Sequence, residues 1–156
     1  MADRRELVLA AAATALAVAS VNWHSEVTTK PTGLEVKRHL TRQADVNGLP
    51  EVCVLYLGES LVESATGSVD RNLTIGIRAR TKADSDESGD AALIPVMQWA
   101  EIALLTDYTL GGLASVGRLE RIDAIDTQEH ADVFAEALLS FVFIIQTKWG
   151  DPRQVA

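Results

Sequence analysis

The sequence predicts a single α+β domain in which a mainly antiparallel, four- to five-stranded sheet carries two main helices packed on one face. Three observations lead to this fold class: an Ala-rich helical segment at the start, a long alternation of apolar and polar residues after residue 69, and an apolar segment with helical spacing near residue 100. Segregated helices and strands of this kind form a two-layer sandwich. The chain of 156 residues suffices for one buried core, so we expect one domain at 1–150 and a polar C-terminal tail at 151–156.

Residues 1–20 fit two different interpretations. As a helix, the segment begins at Asp3, which caps the first turn, has Glu6 in the capping-box position, and continues through good helix formers. As a secretory signal peptide, it offers the pair Arg4-Arg5, an apolar stretch and an Ala-Val-Ala cleavage site at 17–19. We favour the helix because the two acidic residues weaken the positive charge with which a signal peptide begins.

Five segments have the composition of β-strands. They are an edge strand at Gly33–Arg42, an apolar strand at Glu51–Leu57, an alternating strand at Val69–Thr81, an irregular strand at Val116–Asp126 and a final apolar strand at Leu138–Trp149. The unbroken apolar run before Gly58 predicts a strand that is covered on both faces and ends at this glycine. In the alternating strand the odd positions are apolar and most even positions are polar, which predicts one packed face and one wet face.

A second helix is predicted at Ala91–Thr106, with Pro95 in its first turn, where the missing N–H costs little. Trp99 lies on the apolar side of this helix and is expected in the core. The acidic segment Lys82–Asp90 that precedes the helix is predicted to be an exposed loop. The polar stretch Asn22–Pro31 has little apolar periodicity and is predicted to be a loop as well.

Catalytic and metal-binding patterns are weak in this sequence. Asp84–Asp90 matches the first half of a calcium-binding EF-hand loop, but the twelfth position, which needs a bidentate Glu, is Pro95. None of the three histidines, His24, His39 and His130, has a second His or Cys at metal-ligand spacing. Cys53 stands in an apolar run and is predicted to be a buried, inert thiol. We therefore expect a protein without catalytic residues, metal or cofactor.

The net charge of the chain is −8 at pH 7, and its Lys and Arg residues are scattered. Phosphate contacts require clustered basic residues, so this charge argues against specific binding of nucleic acid. An acidic surface repels DNA, which suits a wall that DNA slides past. The first apolar segment is too short and too Ala-rich to span a bilayer, so we expect no membrane partner.

A series of local patterns covers nearly the whole chain. They are the Ala-rich first helix opening with Arg4-Arg5, Leu49-Pro50 before the apolar strand Val52–Leu57, the alternating strand around Leu73–Ile77, a helix, Leu110-Gly111-Gly112, and an apolar strand ending near Trp149. In this order they resemble the tail terminator (tail completion, minor tail protein U-like) family of long-tailed bacteriophages and gene transfer agents. The patterns describe a fold and include no catalytic signature, so no binding residue is carried over.

The resemblance implies a structural protein of the virion. Its subunits would form a ring, typically a hexamer, that caps the head-proximal end of the tail tube, stops tube polymerisation and provides the head-docking surface. The implied partners are further copies of the chain, the tail tube protein and the head–neck connector protein, with DNA passing through the lumen without specific binding. The protein would lie at the neck end of the virion tail after assembly in the host cytoplasm.

Contacts between subunits or partners are expected at sheet edges, the acidic segment and the chain end. The candidate contact residues are Asp84, Asp86, Glu87, Asp90, Trp149 and Arg153. The alternative function is an exported periplasmic small binding or accessory domain, for which residues 1–20 would be the signal peptide. A ring subunit requires an intact first helix, whereas an exported domain requires its cleavage.

Overall fold

The computed structural model describes residues 2–38, 49–65, 67–82, 89–125 and 134–155. The helices and strands within these ranges are α1 (Arg4–Ala17), β1 (Ser20–Trp23), β2 (Glu26–Thr29), β3 (Glu35–Lys37), β4 (Glu51–Ala65), β5 (Ser68–Lys82), α2 (Gly89–Thr106), β6 (Val116–Ile125) and β7 (Phe134–Lys148). The predicted α+β fold class is confirmed. The main sheet has five strands in the order β3-β4-β5-β7-β6, and β1 and β2 form a separate two-stranded sheet.

The main sheet is mixed, because the short strand β3 runs parallel to β4 while the other neighbours pair antiparallel. Strand β5 lies at its centre and pairs with β7 without interruption from Ser68 to Lys82. The odd positions of β5 from Leu73 to Ala79 are fully buried, as the alternation predicted. They contribute to one hydrophobic core together with side chains of both helices, so the helices pack on this face of the sheet.

Helix α1 forms as the capping pattern predicted. The Asp3 carboxylate accepts a hydrogen bond from the backbone N–H of Arg5 at 2.8 Å. One side of the helix is buried in the core through Val8, Leu9, Ala12 and Leu16. The indole Nε1 of Trp99 donates a 3.0 Å hydrogen bond to the backbone oxygen of Leu16, which joins the end of α1 to α2. Trp99 is buried, as predicted.

The predicted loop at Asn22–Pro31 is wrong, because most of this stretch forms the hairpin β1-β2. His24 and Ser25 connect the strands with positive φ angles of 48° and 70°, the geometry of a tight two-residue hairpin turn. The hairpin packs against α2 but buries few side chains completely, so its sequence lacks a strong apolar alternation. This weak alternation explains why the sequence pattern predicted a loop.

Strand β4 does not end at Gly58, as predicted, but continues to Ala65. Gly58 has a φ of 132°, and Leu57 is the extra residue of a β-bulge between two regular stretches of pairing with β5. The expectation of a strand covered on both faces holds only for its first part. Val52 to Val54 are buried, whereas Tyr56 and Leu57 are about half exposed.

Three other element boundaries differ from the predictions. Helix α2 begins at Gly89, so Pro95 lies inside the helix instead of in its first turn. The predicted edge strand at Gly33–Arg42 contains β3, and residues 39–42 lie outside the described residues. The final strand is longer than predicted because β7 begins at Phe134. Neither helix of the described ranges is long and apolar enough to cross a membrane.

Replacing Leu16 with Ala should lower the free energy of unfolding by about 2–4 kcal/mol, because the side chain is fully buried between α1, α2 and the sheet. Urea denaturation followed by circular dichroism measures this loss. Leu7→Ala is the matched control, since Leu7 lies on the same helix and is 38% exposed. Its cost should stay below about 1 kcal/mol. Equal losses in the two variants would contradict the placement of α1 in the core.

Candidate functional site

A cluster of charged side chains lies on the sheet face opposite the helices. Its members, here called the charged cluster, come from four neighbouring strands: Lys37, Glu51, Arg78, Arg80 and Glu136. The register brings them together, because Glu51 pairs with Arg80 across β4 and β5, and Arg80 pairs with Glu136 across β5 and β7. Since side chains alternate between the faces of a strand, Arg78 and Arg80 point away from the core positions of β5.

The two carboxylates of the charged cluster bridge its three cations. Glu136 accepts hydrogen bonds from Arg78 Nε at 2.6 Å and from Arg78 Nη2 at 2.9 Å, and it also pairs with Arg80. Glu51 accepts from Lys37 Nζ at 2.7 Å and from Arg80 Nη1 at 3.3 Å. Both carboxylates are buried. This chain of contacts links β3, β4, β5 and β7 at one end of the sheet.

The pKa shifts in the charged cluster follow from burial and pairing. Burial by itself opposes ionisation of Glu136, but hydrogen bonds and the positive charges of Arg78 and Arg80 outweigh it, so the pKa of Glu136 is lowered. The hydrogen bond to Glu136 raises the pKa of Arg78, and the hydrogen bond to Glu51 raises the pKa of Lys37. These shifts favour the charged forms of Glu136, Arg78 and Lys37 near neutral pH.

The prediction of a solvent-exposed face on β5 is wrong at Arg78 and Arg80. Arg78 and Arg80 are only partly exposed, because Glu51 and Glu136 approach them from the neighbouring strands. Long guanidinium side chains cover the sheet surface with their methylene groups while their charged ends stay paired. Cys53 lies opposite Arg78 in β4 and is buried, as predicted, and burial raises the pKa of its thiol. A thiol with a raised pKa is protonated, and weakly nucleophilic, at neutral pH.

A second cluster, here called the inner cluster, lies on the helix side at the other end of the sheet. Arg71 donates from Nη1 to Glu59 and from Nε to the hydroxyl of Thr147, both at 2.8 Å. Arg5 of α1 donates to the same carboxylate at 2.8 and 3.0 Å. The cluster joins α1 to three strands of the sheet. The sequence patterns did not lead us to expect this cluster, although one signal for it is present. Arg71 occupies an odd position on the apolar side of β5, where a charged residue needs a buried partner.

The candidate contact residues are only partly described by the structure. Asp84, Asp86 and Glu87 lie outside the described residues, and Asp90 lies in the first turn of α2. Trp149 directly follows β7, is 63% exposed, and donates its backbone N–H to the oxygen of Gly67 at 2.9 Å. This bond places Trp149 beside the turn between β4 and β5.

The polar tail folds back on the end of β7. Arg153 is exposed and pairs with Asp151 at 2.9 Å, and these bonds from Arg153 lower the pKa of Asp151 to about 2. The backbone N–H of Lys148 bonds to the oxygen of Gln154 at 3.0 Å, which closes the turn. Trp149 and Arg153 therefore belong to one compact chain end close to the tip of the β4-β5 hairpin.

The turn formed by Leu110, Gly111 and Gly112 connects α2 to β6. All three residues have positive φ angles, of 49°, 71° and 82°, and glycine adopts such angles without steric cost. Asp107 stabilises the turn by accepting bonds from the backbone N–H of Thr109 at 3.0 Å and of Gly111 at 2.7 Å. The hydroxyl of Thr109 also donates to this carboxylate, and together these bonds lower the pKa of Asp107. The motif therefore acts as a structural connection.

The described residues include exposed apolar side chains that are candidates for contacts with other proteins. In the ranges that the structure describes, no group of three or more His, Cys, Asp or Glu side chains is placed to hold a metal ion. His24 contacts the ring of Trp23 edge-on at 4.7 Å, and His39 and His130 lie outside the described residues. Two exposed apolar side chains, Leu61 and Val62, lie in the second half of β4.

Glu136→Gln should lower the free energy of unfolding at pH 7 by about 1–3 kcal/mol, because two arginines lose a buried acceptor charge. A carboxylate with a lowered pKa stabilises the fold fully above its ordinary pKa of 4.5, and this contribution is lost as the pH falls through the pKa of the folded protein. The difference between wild type and variant should therefore shrink below pH 4.5, as measured by urea denaturation. The exposed control Glu26→Gln should change little, and a difference independent of pH would contradict the role of the Glu136 charge.

Comparison of the sequence with protein-family models and with curated proteins gives no match. A functional assignment therefore depends on three features of the chain itself. These are the order of its elements, the paired arginines of the sheet, and the exposed apolar residues at the second half of β4 and at Trp149.

Proposed function

We propose that this protein is a tail terminator subunit of a long-tailed bacteriophage or gene transfer agent. Copies of the chain form a ring, which the resemblance implies to be a hexamer, on the head-proximal end of the tail tube. The ring stops tube polymerisation and provides the surface on which the head docks. The protein has no catalytic role in this proposal and acts through its contacts.

The order of the elements is the observation that carries the proposal. The segments on which the resemblance depends occur in this order along the chain: α1, β4 after Leu49-Pro50, β5, α2, the turn at Leu110–Gly112 and β7. Because α1 is buried against α2 and the sheet, residues 4–17 belong to the folded domain. This burial favours the ring subunit over the exported domain, whose signal peptide would be removed.

The distribution of charge also supports the proposal. The chain carries a net charge of −8, and a ring multiplies this charge around its lumen. Arg71 lies on the helix side of β5 and Arg78 and Arg80 lie on its opposite face, and all three are paired with carboxylates. Paired guanidinium groups offer little attraction to phosphate, so DNA passes such a wall without specific binding.

Purified protein should form ring-sized oligomers of intact chains, on its own or after addition of tail tubes. Native mass spectrometry reports the oligomeric state and the integrity of the N-terminus in the same measurement. Tubes assembled from the tail tube protein with this protein present should be shorter than tubes assembled alone, as measured by electron microscopy. An unrelated acidic protein of similar size is the control for charge. A chain that stays monomeric with tubes and leaves their length unchanged would contradict the proposal.

Trp149→Ala should weaken binding to tail tubes or to neighbouring subunits by about tenfold, because large exposed aromatic side chains contribute strongly to interfaces. Cosedimentation with assembled tubes and native mass spectrometry measure the two effects separately. The fold should be unchanged, since the side chain is mostly exposed. Val27→Ala is the matched control, because Val27 is 69% exposed on the separate hairpin. Equal behaviour of the two variants would remove Trp149 from the contact surface.

A further inference from the structure

Strand β3 forms one edge of the main sheet and is the shortest strand in the described part of the chain. It pairs with β4 through three residues, Glu35–Lys37, whereas β5 pairs with β7 along Ser68–Lys82 without interruption. Its one apolar side chain, Val36, is only partly buried against the core. Elements with few buried contacts open locally at a lower free energy than the whole domain needs to unfold. The charged side chains around β3 therefore decide how firmly it is held.

An ion pair with a buried carboxylate anchors β3 to the sheet. Lys37 donates from Nζ to Glu51 at 2.7 Å, and the side chain of Glu51 is 3% exposed. Arg38, which follows β3, pairs with Glu6 of α1 at 3.0 Å, but the side chain of Glu6 is 68% exposed. Exposed ion pairs contribute little because water screens them, whereas a charge-assisted bond to a buried acceptor contributes more. The bond between Lys37 and Glu51, here called the anchor pair, is therefore the main ionic attachment of β3.

Cys53 of β4 lies next to the anchor pair. It is the register partner of Lys37 in β3 and of Arg78 in β5, and paired positions of neighbouring strands share a face of the sheet. Cys53 is only 4% exposed, and burial raises the pKa of its thiol. A buried, protonated thiol reacts slowly with alkylating reagents. Because the chain has one cysteine, the rate of this reaction reports on the position of Cys53 alone.

We propose that β3 is a strap that opens locally at the edge of the sheet, that the anchor pair holds it closed, and that its opening exposes the thiol of Cys53 while the rest of the domain stays folded. Leu34, immediately before β3, is buried in the core, so the opening begins after it. Glu51 keeps its bond to Arg80 when Lys37 moves away, so the open strap leaves no buried carboxylate without a partner. The pairing of β5 with β7 does not involve β3 and persists. The strap is a property of the fold and does not depend on the proposed function.

Alkylation of Cys53 by iodoacetamide, an uncharged reagent, tests the strap. The reaction is followed by mass spectrometry of the intact protein, at one pH and at urea concentrations below the unfolding transition. The wild-type rate should be nearly independent of urea, because local opening exposes little surface. In Lys37→Met the rate should rise about tenfold, because β3 loses a charge-assisted hydrogen bond while the apolar part of the side chain is kept. Lys37→Arg keeps the charge and should stay closer to wild type.

The matched control is Lys148→Met, because Lys148 is an exposed lysine at the far end of β7. This variant should react like wild type, and circular dichroism verifies that each variant keeps its fold. Equal rates in Lys37→Met and Lys148→Met would overturn the role of the anchor pair. A rate that rises with urea as steeply as global unfolding, from the lowest concentrations onward, would show that Cys53 is reached only through the unfolded chain, and would overturn the strap.

Discussion

The register of β5 between β4 and β7 is the constraint on which the rest of the structure depends. A shift by one residue would turn the apolar odd positions, such as Leu73 and Ile77, away from the helices. It would also separate Arg80 from Glu51 and Glu136 on the opposite face. The packing on one face and the ion pairs on the other therefore specify the same register. This agreement makes alternative pairings costly on both faces at once.

The two charged clusters serve this register at opposite ends of the sheet. The inner cluster ties α1 to the sheet through Arg5, Glu59 and Arg71, and the charged cluster ties β3 to the three strands beside it. Removing one partner of a buried pair leaves an uncompensated charge, so each cluster acts as a unit. The same pairing engages three arginines of β5 with carboxylates. Paired arginines offer little attraction to phosphate, in agreement with the proposed passage of DNA through a ring.

The helices cover one face of the sheet that these interactions fix, and the second half of β4 carries exposed apolar side chains. In the second half of β4, Leu61 and Val62 are exposed, and Trp149 lies beside the turn between β4 and β5. Exposed apolar side chains of this kind are common at surfaces that bind another protein, as the proposed ring would require. The same register that defines the fold also holds the second half of β4 in an extended conformation.

The sequence by itself determined the fold class, the cap of α1, the burial of Trp99 and Cys53, and the packed face of β5, because these features follow from local capping and periodicity. Local patterns failed where distant residues decide the structure. Glu51 and Glu136 lie far from Arg80 in the chain, so only the register turns the predicted wet face into a paired cluster. The bulge at Leu57 lets β4 pass Gly58 because β5 continues to pair with it as far as Ala65. The paired cluster and the bulge both result from pairing between separate segments, which the tertiary structure alone defines.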